Sequence, residues 1–112
     1  MRNTLVCLRD IVRSMEAVAS FIEGMDFDAF DHDLKTKSAV LAQLAMMGEA
    51  AKQIPPTLRT QYPTVAWKSM AGMRDRLIHG YFQVDYALVW HTVTEILPAD
   101  RRVIETIIAR ES

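Results

Sequence analysis

The sequence is poor in features that mark specialised classes of protein. It has one cysteine, Cys7, and therefore no internal disulfide. No apolar run approaches the roughly 18 residues that a membrane-spanning helix needs, and the sequence shows no secretory signal core. We therefore expect a soluble protein of a reducing compartment, the cytoplasm, with no membrane partner.

An excess of charge of one sign is also lacking. The 13 Lys and Arg residues nearly balance the 14 Asp and Glu residues, which gives a formal net charge of −1. No global field would draw the protein to nucleic acid, so a polyanion would have to bind a local patch. Half of the 112 residues are hydrophobic, a globular composition sufficient for one core. We expect a single domain over residues 1–112.

Apolar residues recur with helical period along the chain, and no segment shows a sustained period of two. Gly24 marks the end of the first helix, Pro55 and Pro56 stop the second, Asp85 is typical of an N-cap, and Pro98 is typical of a first helical turn. The pattern predicts an all-α, up-and-down bundle of about five to six helices. These cover roughly residues 5–22, 34–54, 57–62, 65–79, 86–97 and 98–108.

Two residues in the second predicted helix suggest a close contact. Gly48 lies in mid-helix, where glycine costs roughly 1 kcal/mol relative to alanine, so we expect another helix to approach it closely. Glu49 is adjacent. It is either a surface charge or the partner of a buried arginine, and the sequence leaves both interpretations open.

The acidic segment 26–33 is a candidate metal loop, with four carboxylates and His32. Its spacing matches no EF-hand, which also requires a turn glycine and a later glutamate. Helix capping and solvation of a connector are the favoured interpretation, with Phe27 and Phe30 fixing the connector to the core. We expect no metal and no cofactor.

The segment Arg74-Asp75-Arg76-Leu77-Ile78-His79-Gly80-Tyr81 gathers the densest set of reactive side chains. It reads Arg-x4-His-x-Tyr and falls where a helix should end. Cleavage of RNA by its own 2′-hydroxyl needs a proton acceptor, a proton donor and positive charge on the phosphorane. Histidine exchanges protons near neutral pH, and arginine offers a planar fork for phosphate oxygens. No metal is required.

Helical geometry raises a difficulty for this pair. Residues five apart on a helix point roughly 140° away from each other, at about 100° per residue. Arg74 and His79 would converge more easily if His79 lay at a fraying helix end, or if two chains packed motif to motif. We hypothesise a homodimer with a composite cleft. The alternative is a solvated polar face whose terminal histidine only complements the helix dipole.

Several blocks of sequence carry a resemblance to a known family. The chain resembles HepT proteins, the toxin half of HEPN/minimal nucleotidyltransferase toxin–antitoxin pairs, over nearly its whole length. The similar blocks are Leu8-Arg9-Asp10-Ile11, Gly48-Glu49-Ala50-Ala51-Lys52, Val65-Ala66-Trp67, Ala71-Gly72-Met73, the motif segment 74–81, Val89-Trp90 and Leu97-Pro98.

The resemblance implies a helical homodimer and a metal-independent endoribonuclease toxin that acts on RNA, with tRNA among the targets and no DNA. It implies that Arg74 and His79 form the catalytic pair, with Asp75 as a polar neighbour and Arg76 as supporting charge. Tyr81 corresponds to the tyrosine that a cognate nucleotidyltransferase antitoxin modifies with AMP. Two other interpretations stay open: a non-catalytic helical partner that presents a nucleotide or substrate to a nucleotidyltransferase, and a helical scaffold.

Overall fold

Helices account for the regular structure of the chain. The computed structural model describes residues 3–79 and 84–112, without the side chains of residues 78 and 79. No strand occurs in these ranges, and the predicted all-α bundle is confirmed. The elements are α1 (Thr4–Ile22), α2 (Phe27–Asp31), α3 (Leu34–Lys52), α4 (Pro56–Gln61), α5 (Trp67–His79), α6 (Tyr86–His91), a π-helical segment (Thr92–Ile96) and α7 (Leu97–Glu111).

The last three elements form one uninterrupted helical rod, residues 86–111, which we call the C-terminal rod. The prediction of two separate helices was wrong here. Pro98 does lie in the first turn of α7, but the chain widens into a π turn before it. Proline lacks an N–H and its ring crowds the preceding turn, and a π turn accommodates both. The Thr94 hydroxyl of the π segment donates a hydrogen bond to the Trp90 carbonyl oxygen of α6 at 2.7 Å.

The core lies where α1 packs against α3 and α7, while α3 also packs against α5. Apolar faces of helical period from these elements meet there, as the sequence pattern predicted. The largest side chains with almost no exposed surface are Phe30, Leu8, Ile11, Leu44, Met47, Ile54, Ile104 and Ile107. Part of the α3 surface lies outside this core and carries polar side chains that contact α5.

The acidic segment 26–33 works as a pair of helix caps. Asp26 accepts a hydrogen bond from the Ala29 N–H at 2.8 Å, and Asp33 accepts one from the Thr36 N–H at 3.1 Å. Phe30 is fully buried as expected, whereas Phe27 is 37% exposed and reaches the core through an edge-to-face contact with Trp90, with ring centroids 6.3 Å apart. The connector itself is the short helix α2.

A buried carboxylate joins α7 to the beginning of α5. Asp100 is 5% exposed, and its Oδ2 accepts a hydrogen bond from the Ala66 N–H, immediately before α5, at 3.2 Å. Burial raises the pKa of Asp100, and the hydrogen bond only partly opposes this. The start of the motif helix is therefore held by a residue of the C-terminal rod.

None of the helices in the described ranges is long and apolar enough to cross a lipid bilayer.

Candidate functional site

The site begins with a close approach of α3 to α5 at Gly48. A Cβ atom placed on Gly48 would lie 2.6 Å from both the Arg74 Cβ and the Met70 carbonyl oxygen. No other residue type fits this contact without movement of the α5 backbone. The close approach predicted from the glycine is confirmed, and it brings the Arg74 side chain across α3.

Four charged side chains join the two helices beside this contact. The Arg74 Nε forms an ion pair with Glu49 Oε2 at 2.9 Å, and the Arg74 Nη1 donates a hydrogen bond to Asp75 Oδ1 at 3.3 Å. The same Asp75 oxygen accepts a hydrogen bond from Lys52 Nζ. We call Glu49, Arg74, Asp75 and Lys52 the interhelical network. Glu49 is thus a surface charge that pairs with an arginine, and that arginine is not buried as one of the two interpretations supposed.

The interhelical network lies at the surface and not in the core. The exposed fractions of its side chains are 33% for Arg74, 52% for Glu49, 49% for Asp75 and 34% for Lys52. The hydrogen bond from Lys52, followed by that from Arg74, lowers the pKa of Asp75, while desolvation opposes the change. The charges of the two cations and two anions cancel, so the network is locally neutral. The Arg74 guanidinium is also accessible to solvent.

Other predicted residues of the motif fall elsewhere or outside the described ranges. Arg76 is exposed and borders a separate groove, so it does not join the interhelical network. His79 is the last residue of α5, and its side chain lies outside the described residues. Tyr81, and Gly80 as the predicted closing residue of the helix, also lie outside them.

The groove beside Arg76 is largely apolar and has a volume of about 340 Å³. It runs between α5 and the C-terminal rod. Its walls include Met70, Met73, Leu88 and Ile96, with Asp100 also contributing. Leu88 is 53% exposed and Ile96 37% exposed. A continuous apolar strip thus runs along one side of the motif helix.

Among the described residues, no group of three or more His, Cys, Asp or Glu side chains is placed to hold a metal ion. Sequence reasoning named Arg74 and Asp75 but gave Lys52 no role. Lys52 follows Gly48 by four residues and so shares its helical face, which was the one available signal. The lysine contacts Asp75 only because Gly48 lets α5 come close.

The arrangement suits the binding of a phosphate. A guanidinium can donate five N–H groups in a fixed plane. Within the described residues, the ion pairs of Arg74 use Nε and Nη1 and none uses Nη2. An arginine that is already oriented by carboxylates and open to solvent on another edge can donate hydrogen bonds to a phosphate oxygen with little further ordering.

Comparison with known proteins gives a consistent result. The family model described as "Ribonuclease HepT-like" matches residues 11–107. A candidate RNase of Methanocaldococcus jannaschii is 43% identical over 101 residues, covering 90% of this chain and 84% of the relative. A protein of Thermococcus cleftensis named "Probable ribonuclease HepT" is 41% identical over 92 residues, covering 82% and 84%. A candidate RNase of Caldanaerobacter subterraneus is 34% identical over 111 residues, covering 99% of both chains.

No solved structure matches the chain. The family model spans most of the sequence, and these relatives align with this chain over most of their length. The chain itself is helical and contains the Arg-x4-His-x-Tyr segment. The chain belongs to the HepT-like ribonuclease family.

Proposed function

We propose that this protein is a metal-independent endoribonuclease and the toxin of a toxin–antitoxin pair. The observation that carries the proposal is the solvent-accessible Arg74 guanidinium, held beside α3 by Glu49 and Asp75 in a member of a ribonuclease family. The names of the relatives support the same class of reaction.

In the proposed reaction, the 2′-hydroxyl of RNA attacks the adjacent phosphorus and the bond to the 5′-oxygen breaks. One imidazole removes the hydroxyl proton, and a proton is returned to the departing 5′-oxygen, which leaves a cyclic phosphate. His79 serves as the general acid–base group because its ordinary pKa lies near neutrality. Arg74 stabilises the negative charge that builds on the phosphorane oxygens.

The active unit is a homodimer in this proposal. The apolar groove between α5 and the C-terminal rod, with exposed Leu88 and Ile96, supplies a surface that a second copy would cover. Two motif helices related by a two-fold axis would bring Arg74 of one copy near His79 of the other. This resolves the angular separation expected for the two residues on one helix.

The partner that neutralises the toxin is a cognate minimal nucleotidyltransferase, which transfers AMP to the Tyr81 hydroxyl. This step rests on the resemblance of the segment 74–81 to its family. An adenylate two residues from His79 adds a bulky anion that would compete with RNA phosphate for Arg74. Intact-mass measurement after co-expression with such an enzyme tests the step, with Tyr81→Phe as the control that should stay unmodified.

The nuclease activity is tested on purified protein with RNA in the presence of a chelator. We expect Arg74→Ala and His79→Ala each to slow cleavage by about 100-fold or more, while circular dichroism stays unchanged. If the parent does not cleave RNA but forms a stable complex with a nucleotidyltransferase, the protein is a non-catalytic partner of that enzyme and the proposed nuclease activity is refuted. If both variants cleave at the parent rate, the site lies elsewhere.

A further inference from the structure

We propose that Glu49 and Lys52 of α3 are positioning residues that fix the guanidinium of Arg74 before RNA binds. The inference rests on the proposed ribonuclease function and adds two residues to its site. Both residues lie on a helix that precedes the motif segment, and they contact it only through the packing of α3 against α5.

The first step in the argument concerns the stem of Arg74. Gly48 leaves room for the Arg74 Cβ, which would lie 2.6 Å from a Cβ at position 48. The start of the arginine side chain is therefore packed directly against the α3 backbone. A long side chain held at its base has fewer rotamers available, so its head group can be oriented by a small number of contacts.

The second step concerns the head group. Glu49 Oε2 forms an ion pair with Nε at 2.9 Å, and Asp75 accepts a hydrogen bond from Nη1 at 3.3 Å. Two contacts on different nitrogens define the plane of a guanidinium, which one contact cannot do. Lys52 donates to the same oxygen of Asp75 and so keeps that carboxylate facing Arg74.

The third step concerns charge. Glu49 and Asp75 together offset the charges of Arg74 and Lys52. Glu49 therefore orients the arginine but weakens its attraction for a polyanion. Removal of its charge should slow the chemical step while leaving RNA binding equal or tighter. A residue with only a structural role would not separate the two effects in this way.

The test uses Glu49→Gln in single-turnover cleavage of a defined RNA, with enzyme concentration varied. We expect the maximal rate constant to fall about tenfold, because a misplaced catalytic group loses its orientation. We expect the enzyme concentration at half-maximal rate to stay the same or to decrease. Lys52→Met should also lower the maximal rate, by a smaller factor, but should weaken binding because it removes a cation.

The chain offers a matched control in Glu105→Gln. Glu105 is 51% exposed and forms an ion pair with the Nε of Arg101 at 3.3 Å, so the variant removes the same charge from the same type of arginine pair on α7. Neither the maximal rate nor the half-saturating concentration should change. An equal loss of rate in the Glu105 variant, or an unchanged rate in the Glu49 variant, would overturn the proposal.

A second measurement is independent of activity. The order parameter of the Arg74 Nε–H bond, from 15N relaxation with the signal assigned through its loss in Arg74→Lys, should be lower in Glu49→Gln than in the parent, because the guanidinium loses its ion pair with Glu49. Glu105→Gln should leave it unchanged. If the parent fails to cleave RNA, the ribonuclease function falls while this measurement still tests the positioning. Equal order parameters in the parent and Glu49→Gln would overturn the positioning role.

Discussion

A single carboxylate oxygen connects the two cations of the interhelical network. Asp75 Oδ1 accepts from both Lys52 Nζ and Arg74 Nη1. A carboxylate that accepts two charge-assisted hydrogen bonds is stabilised in its ionised form. The contribution of Asp75 to stability is therefore present above the ordinary pKa of aspartate, and it is lost as the pH falls through the lowered pKa of the folded protein.

Replacement of the lysine should show which contact matters most for this carboxylate. In Lys52→Met we expect the pKa of Asp75 to rise toward the ordinary aspartate value, because the hydrogen bond from Lys52 is the largest cause of the shift. Titration of the side-chain carboxyl carbon by NMR measures it. Lys68→Met removes an exposed lysine two turns earlier on α5 and should leave the titration unchanged. An Asp75 pKa that is the same in all three proteins would refute the assignment.

The burial and contacts of individual side chains were the hardest features to predict from sequence. Met46 and Met47 are neighbours on α3, yet Met47 is buried and Met46 is 60% exposed, because adjacent residues on a helix face different directions. The contact between Lys52 and Asp75 joins residues 23 positions apart. It depends on the register of α3 against α5, which no local pattern encodes. Arg74 and Asp75 themselves stood out because reactive side chains are crowded in one segment.

Gly48 sets the distance between α3 and α5. In Gly48→Ala, the added methyl group meets a backbone carbonyl and a Cβ, neither of which can move away cheaply. We expect the free energy of unfolding to fall by about 1–3 kcal/mol, less the gain of up to about 1 kcal/mol in helix propensity. Urea denaturation measures the difference.

Gly72→Ala is the matched control on the other helix of this pair. A Cβ there would meet only Arg76 Nη1 at 3.7 Å, an ordinary contact. We expect this variant to be as stable as the parent or more stable by up to about 1 kcal/mol. A Gly48→Ala protein as stable as Gly72→Ala would show that α5 does not pack tightly on α3.

The link between α7 and the start of α5 makes stability depend on pH. The pKa of Asp100 is raised in the folded protein, so the folded state binds a proton that the unfolded state has released. Stability from this group then falls as the pH rises from the ordinary aspartate pKa through the raised value. Asp100→Asn keeps an acceptor for Ala66 without the charge. We expect its stability relative to the parent to increase between pH 4 and pH 7 in urea denaturation, and parallel stability curves would contradict this.

At the scale of the whole molecule, the bundle could be predicted because apolar residues recur with helical period and prolines or glycines punctuate them. The ends of α1 and α3 follow from these signals, whereas their starts are set by the caps Asn3 and Asp33. The C-terminal rod could not be predicted in the same way. Pro98 is compatible with the start of a new helix and also with a π turn inside a continuous helix. The continuous helix forms because both halves of the rod pack in one core.

The proposed composite cleft predicts complementation between two inactive variants. When Arg74→Ala and His79→Ala proteins are mixed under conditions that exchange subunits, half of the dimers carry one copy of each. If Arg74 of one subunit works with His79 of the other, one site in each mixed dimer is intact, and activity should return to about a quarter of the parent value. Activity that stays at the level of the separate variants, or a parent that sediments as an active monomer, would rule out the shared cleft.

The π turn of the C-terminal rod also limits how this part of the protein can change in length. Each residue of a helix advances the chain by about 100° around the axis. A π turn contains about one residue more than an α turn, so deletion of one residue between Thr92 and Ile96 would restore regular α-helical winding and keep the fully buried Ile104 and Ile107 facing the core. Deletion of one residue within α7 would instead turn the residues after it by about 100°. A one-residue deletion should therefore be tolerated in the π turn, and otherwise only near the ends of the rod.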